Sequence, residues 1–315
     1  MRRMLMRLSR LDRFHRLLAE APATRELIGR YVAGETLDEL VGVLADLRRK
    51  GLSASVDDLL AVAADEATAV ANERSYLDCL DALAGAGLAG GADLDVAPSA
   101  LGAPGGDPEL LRARLARICA AAERAGADVT LHMDAGRMDA GREDREDVIE
   151  ATLALAGRLR EDFPRTGVTL LAGLRRTESD CRALAADGAR LRLCKGEGGE
   201  GRDAFTSRHA VDLSYVRCLA VLMASDAYPM VATHDPRLVE IALDLARQNH
   251  RGPGDHEFQM FHGVRPWEQR RLADIGRTMR TCVPFGPDWY ACFLRRVADH
   301  PANGALYARS LLGRR

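Results

Sequence analysis

Eight short apolar runs, each followed by a longer stretch with helical spacing, are the feature that most limits what this chain can become. They are GLSASVDD (51–58), DLDVAP (93–98), ADVTLHMD (127–134), GVTLLAGL (167–174), ARLRLCKG (189–196), YPMVATHD (228–235), HEFQMFHG (256–263) and RTCVPFG (280–286). Strands that alternate with helices read as parallel neighbours, because each return crossing needs a helix on a sheet face. Near-continuous apolar strands suit a sheet buried on both sides. Eight units is the count at which such a sheet closes, so the expected fold is α/β, a (β/α)8 TIM-like barrel. A barrel of about 250 residues leaves an N-terminal extension in a chain of 315. That extension, residues 1–50, reads as helices at about 1–20 and 24–49, ahead of a barrel over 51–315. Thr36-x-x-Glu39 is a capping box at a helix start, and a second box, Thr177-x-x-Asp180, opens the helix after the fourth strand.

Composition narrows the function classes. The 44 basic and 46 acidic residues leave a net charge of −2, with no electrostatic footprint for nucleic acid or an anionic membrane. Seven scattered cysteines without a CxxC indicate neither a disulfide framework nor a zinc knuckle, and a cytoplasmic location is expected. The opening MRRMLMRLSRLDRFHRLL interrupts every apolar run with arginine, which suits an amphipathic helix and not a secretory signal. Arginine outnumbers lysine 42 to two, so the lysines, Lys50 and Lys195, carry more information than usual.

Gly85-x-Gly87-x-x-Gly90 matches a dinucleotide fingerprint as a string, but it lies between a helix and a strand, the reverse of the context that fingerprint needs. His132-x-Asp134, His234-Asp235 and His262 fall where strands should end, the face on which barrel enzymes place their sites. A metal hydrolase built on His132, Asp134 and His234 is one reading, without the HxH or HExxH spacing that would support it; satisfied strand-end polar groups are another. Arg295-Arg296 has the chemistry to clamp a carboxylate. As one of six Arg-Arg pairs, it needs its context to mean anything. Lys195 opens a Gly-rich loop after the fifth strand, where its ammonium and the loop amides suit a phosphate.

RYVAGETLDEL (30–40), RLCKG (192–196), DLSYVRCLAVLM (212–223), MVATHD (230–235), EFQMFHGVR (257–265) and VPFGPDWYACFLRRVADHPAN (283–303) together resemble the monofunctional bacterial proline dehydrogenases, over nearly the whole chain. The resemblance implies an FAD oxidoreductase on a barrel. It would move hydride from L-proline, or a related cyclic or N-substituted amino acid, to the flavin, giving pyrroline-5-carboxylate and passing electrons to a membrane quinone through peripheral contact. It also implies roles. Arg192 looks like the arginine beside the flavin N5, and Asp134 like the active-site acid. Ala135, Leu171, Lys195, Gly196, Glu197, Thr233, His234 and Gln259 look like FAD contacts, and Arg295 and Arg296 like the clamp on the proline carboxylate. Hydride transfer needs the reacting carbon held against the flavin, which a fixed carboxylate anchor provides.

Departures from the family pattern gather in one neighbourhood. Ala97 stands where the family has a lysine paired with the aspartate, Leu171 where it has a flavin-bonding glutamine, and Gly173 where an aromatic is usual. Glu197-Gly198 replaces Ala-Tyr, and Cys282 replaces the tyrosine that walls the proline ring. The expected pocket is wider and wetter. That suits an altered substrate, or a catalytically weakened flavin-binding relative with a binding or regulatory role.

Overall fold

The computed structural model describes residues 29–102, 106–133, 142–185, 188–196 and 203–286, together with Trp289. Eight parallel strands form a closed barrel in sequence order. They are β1 Ser53–Asp58, β2 Asp93–Val96, β3 Asp128–Leu131, β4 Gly167–Leu171, β5 Arg190–Cys194, β6 Tyr228–Ala232, β7 Glu257–Phe261 and β8 Met279–Phe285. Closure is made by β1 and β8, in register from Ser53 opposite Arg280 to Asp58 opposite Phe285. The surrounding helices are α1 Leu37–Arg49, α2 Glu66–Gly85, α3 Pro98–Leu101, α4 Pro108–Ala125, α5 Arg142–Asp162, α6 Thr177–Ala185, α7 Arg208–Met223, α8 Pro236–Gln248 and α9 Pro266–Asp274. All eight expected runs are strands.

The extension differs from the expected helix over 24–49. Residues 32–36 are not helical, and α1 begins only at Leu37. Gly34 takes a φ of +122°, which ends any helical path there. The Glu39 side chain folds back to accept from the Glu35 and Thr36 amides, and Thr36 Oγ1 accepts from Glu39 N, completing the box. The expected helix at 1–20 lies outside the described residues. Thr177 also departs from expectation. It is the first residue of α6 and its hydroxyl donates to the Leu171 carbonyl, so it ties the helix to the end of β4 and is not a capping box.

The strands are more apolar on their outer face. Ala54, Val56, Leu94, Val96, Val129, Leu131, Val168, Leu170, Leu191, Leu193, Val231, Phe258, Met260 and Val283 point outward and join buried helix residues such as Tyr76, Leu80, Leu115, Ile118, Tyr215 and Leu219 in one core. The alternate positions fill the barrel with polar groups, unlike the branched aliphatic layers usual for this fold. Arg280 holds Glu257 through two parallel hydrogen bonds of 2.7 and 2.9 Å. Glu257 also accepts from Gln259 Nε2 and Tyr228 Oη. Arg190 meets Asp128 at 3.1 Å while lying over the Tyr228 ring. Burying a charge is costly unless it is paired, and each of these charges lies beside its opposite.

Burial pushes the Glu257 carboxyl up, but Arg280 outweighs it and brings it down to about 2. A depressed carboxylate contributes stability that is present above its unfolded value, 4.5, and lost as pH falls towards 2. Glu257→Gln is therefore expected to cost roughly 3–5 kcal/mol at neutral pH by stranding Arg280. The gap to wild type should narrow between pH 4.5 and 2, read by denaturant melts across that range.

Candidate active site

The C-terminal strand ends gather the polar residues singled out in the sequence, and Arg192 lies deepest among them. It projects inward from the middle of β5 and is 4% exposed. Its Nη2 donates to Asp93 Oδ2 at 2.9 Å, and its Nη1 meets Asp95 Oδ2 at 2.7 Å. Asp93 also accepts from Ser55 Oγ at 2.8 Å and Thr130 Oγ1 at 2.7 Å, so β1, β2, β3 and β5 share one network. The Asp93-Leu-Asp95 alternation on β2 explains the pairing: residues two apart on a strand face the same side. Burial works against the Arg192 charge, yet Asp95 and Asp93 more than restore it. Burial likewise opposes the Asp95 charge, and Arg192 and His132 hold that carboxyl well below the usual carboxylate range. Neither aspartate was singled out from the sequence, although the D-x-D spacing beside a buried arginine is a legible signal.

Lys195 and Gly196 follow directly on β5. Lys195 Nζ holds Asp212 Oδ1 at 2.5 Å and Asp235 Oδ2 at 3.0 Å, and Arg237 bridges the same two carboxylates. Contact with a phosphate would require Lys195 to trade one of these partners. Gly196 has a φ of +69°, and a Cβ there would stand 3.0 Å from Leu171 Cβ, so a side chain would be strained and crowded at once. Leu171 closes that side from β4.

On β6 and β7 the expected residues come together with assigned bonds. Thr233 is buried, and its Oγ1 accepts from Asp235 N. His234 Nε2 accepts the Phe261 amide at 2.9 Å, and its ring stacks on the Phe261 ring. That acceptor role leaves the proton on Nδ1. Arg265, itself in the left-handed region at φ +49°, donates to the His234 carbonyl, so the β7–α9 turn braces the β6 end. Gln259 is buried, and Cys282 Sγ lies 3.8 Å from its Oε1. Burial pushes the Cys282 thiol up to about 12, against the pull of Arg192, so it is neutral at the wall of the mouth.

The remaining expected residues divide. His262 has the opposite strand parity to Gln259 and Phe261 and does not join the cluster. His132 and His234 follow the ends of β3 and β6, three strands apart, and among the described residues no group of three His, Cys, Asp or Glu is placed to hold a metal. Ala97 is buried and gives its amide to Tyr76 Oη at the start of α3. Gly173 donates to the Lys195 carbonyl and accepts from Phe205 N, stitching the β4 and β5 loops together. Asp134, Ala135, Glu197, Gly198, Arg295 and Arg296 lie outside the described residues.

The residues present fit a flavin over this mouth. Arg192 Nε and Thr169 Oγ1 are buried without a hydrogen-bond partner. An uncommitted donor on a fixed cation suits a group that gains negative charge. Positions 171, 192, 195, 196, 233, 234 and 259 form an arc along four consecutive strands, and the positive φ of Gly196 lets the backbone turn closely there.

The proline dehydrogenase family model matches residues 41–297. Proline dehydrogenase 1 of Bacillus subtilis (strain 168) is 31% identical over 295 residues, covering 93% of each chain. Proline dehydrogenase of Deinococcus radiodurans is 27% identical over 288 residues, 91% of this chain and 90% of that one. Among solved structures, proline utilization A from Bdellovibrio bacteriovorus inactivated by N-propargylglycine superposes with a TM-score of 0.78 at 20% identity, over 89% of this chain and 33% of that one.

Replacing Arg192 by Met is expected to destabilise the protein by about 3–5 kcal/mol, because it strands buried carboxylates. Part of that loss should return as pH is lowered and Asp95, freed of its cation, takes up a proton. Chemical melts of both proteins at neutral and mildly acid pH test this. A deficit that does not change with pH would show that the network is not electrostatic in origin.

Proposed function

The chain belongs to the proline dehydrogenase family, and we propose that it is an FAD-dependent oxidoreductase that converts L-proline to pyrroline-5-carboxylate. One observation carries the reading: a guanidinium fixed inside the barrel mouth by two carboxylates, with an unused N–H. When bound, FAD supplies the two-electron acceptor for hydride. The rest is done by the chain.

Arg192 would meet the part of FAD that gains negative charge, where a fixed cation stabilises charge without having to reorganise. Lys195, Gly196 and Glu197 receive the pyrophosphate region, and Ala135, Leu171, Thr233, His234 and Gln259 line the remainder. Arg295 and Arg296 grip the substrate carboxylate through parallel charge-assisted hydrogen bonds. That anchor sets the ring carbon at the distance and angle hydride transfer requires. Asp134 is the acid beside the substrate nitrogen. Cys282 presents a small neutral wall where the family pattern has a tyrosine, leaving room for rings bulkier than proline. Electrons leave to a quinone reached by peripheral membrane contact from the cytoplasm. No helix among the described residues is long and apolar enough to cross a membrane.

The purified protein is expected to be yellow, and its visible band to bleach anaerobically on addition of L-proline. Arg295→Met should raise KM for proline by about 10- to 100-fold, the loss of a charged hydrogen-bonded contact worth roughly 1.5–3 kcal/mol, with the flavin spectrum unchanged. Protein that is colourless and takes up no added FAD would end the proposal.

A further inference from the structure

The helices behind β4 and β5 meet over two thiols for which the proposed reaction has no use. On α6, Thr177, Cys181 and Ala185 recur every four residues and are buried, and on α7 Ser214, Cys218 and Leu222 do the same. Spacing of four puts each set on one face of its helix. Cys181 and Cys218 hydrogen-bond to each other across the seam, both as free thiols and both fully buried. On the outside of the seam Arg217 Nε meets Glu178 at 3.1 Å, so neighbouring positions join the same two helices by charge.

Each helix is also tied to a strand of the mouth. Thr177, one turn before Cys181, donates to the Leu171 carbonyl at the end of β4. Tyr215, about one turn before Cys218, donates to the Leu193 carbonyl on β5 at 3.1 Å. The chain between the two cysteines contains the whole of β5, with Arg192 on it and Lys195 just beyond. Asp212, which holds Lys195, is itself on α7. Whatever fixes α6 to α7 therefore fixes the strand between them.

The two thiols are not equivalent. Its bond to Cys218, together with burial, raises the Cys181 thiol above the ordinary range, and Asp180 and Glu178 add to this. The bond from Cys181, assisted by Ser214 and Arg217, lowers Cys218 against its burial and against Glu178. Cys218 is thus the readier thiolate, and a second thiol already touches it. That is the arrangement in which an oxidised sulfur is resolved by its neighbour.

We propose that Cys181 and Cys218 are a modification site for hydroperoxides, a thiol pair that closes reversibly to a disulfide and clamps α6 to α7 behind β5. The Cys218 sulfur attacks the peroxide, the O–O bond breaks, and the departing hydroxide takes the thiol proton as water, leaving a sulfenic acid. The Cys181 sulfur then attacks that sulfur, the S–O bond breaks, and the second hydroxide leaves as water with the Cys181 proton. Two electrons pass from the sulfurs to hydrogen peroxide, which becomes two waters. The seam excludes bulky reagents, whereas an oxidant scarcely larger than water enters as the helices part locally. In a reducing compartment such a bond is transient and acts as a sensor. The inference does not draw on the flavin, and its test reads no turnover.

Purified full-length protein is treated with hydrogen peroxide, remaining thiols are alkylated, and peptides are mapped by mass spectrometry without reduction. A linked peptide pair carrying Cys181 and Cys218, two hydrogens lighter than the reduced pair, is expected, and dithiothreitol should return both thiols. Cys79 and Cys119, buried on α2 and α4 with no thiol bonded to them among the described residues, are internal controls. The link should exceed oxidation at either by about tenfold or more. Cys181→Ser should leave Cys218 as a sulfenic acid that dimedone captures, and Cys218→Ser should leave Cys181 unoxidised. Linked protein is expected to unfold at a higher urea midpoint than reduced protein, because the closed loop restricts the unfolded chain.

Sulfinic acid at Cys218 with no link would overturn the proposal, as would two thiols that stay reduced no less than Cys79 and Cys119. So would a link that leaves the urea midpoint unchanged, since the clamp would then hold nothing. Should either serine variant fail to fold, the wild-type peptide map and its return on reduction decide.

Discussion

A positive charge sealed inside a closed barrel must bring its counter-charges with it, and Arg192 does so through Asp93 and Asp95. Neither water nor a swinging surface side chain can substitute there, so the three residues fix one another and the strands that carry them. Ser55 and Thr130 complete the acceptor capacity of Asp93, drawing β1 and β3 into the same arrangement. Below it, the Arg280–Glu257 and Arg190–Asp128 pairs repeat the pattern around the other side of the lumen. The result is a stack of charges whose positions are set by covalent alternation along the strands. Rigidity at the mouth is thus inherited from the floor.

This bears on what the site can do. A cation intended to stabilise developing negative charge is most effective when it does not move during the reaction. Arg192 meets that condition because both terminal nitrogens are committed while Nε is not. The rim is built on a different principle. Lys195, Asp212, Asp235 and Arg237 form a partly exposed group whose members each have alternative partners within reach. The fixed layer suits chemistry, and the exchangeable layer above it suits binding.

The strand positions, the closure at eight and the Thr36–Glu39 cap were legible in the sequence because each follows from local periodicity or spacing. The polar lumen was less so. RLRLC and DLDV were read as apolar runs, yet their alternate residues carry the charges that organise the interior, and only closure reveals which face is which. The sequence predicts a helix over 24–49, whereas Gly34, with a φ of +122°, turns the chain out of one and α1 begins only at Leu37. The partners of Lys195 come from the first turns of α7 and the N-cap of α8, contacts between distant residues that no local pattern announces. Arg192 and Gln259 follow from strand order and parity, whereas Thr233 and His234, adjacent past the end of β6, do not share one parity.

Gly263 lets the chain's beginning become part of the barrel's rim. A Cβ there would stand 1.8 Å from the Arg30 carbonyl oxygen, so that turn admits the earlier segment only because it lacks a side chain. Ala33 and Gly34 then bond across the end of β8, and Glu35 receives the Trp289 indole. The two ends of the described chain are thereby laced together beside the mouth. Folding of the eighth unit and seating of the leading segment become a single event, and a break in either would loosen the wall nearest Cys282.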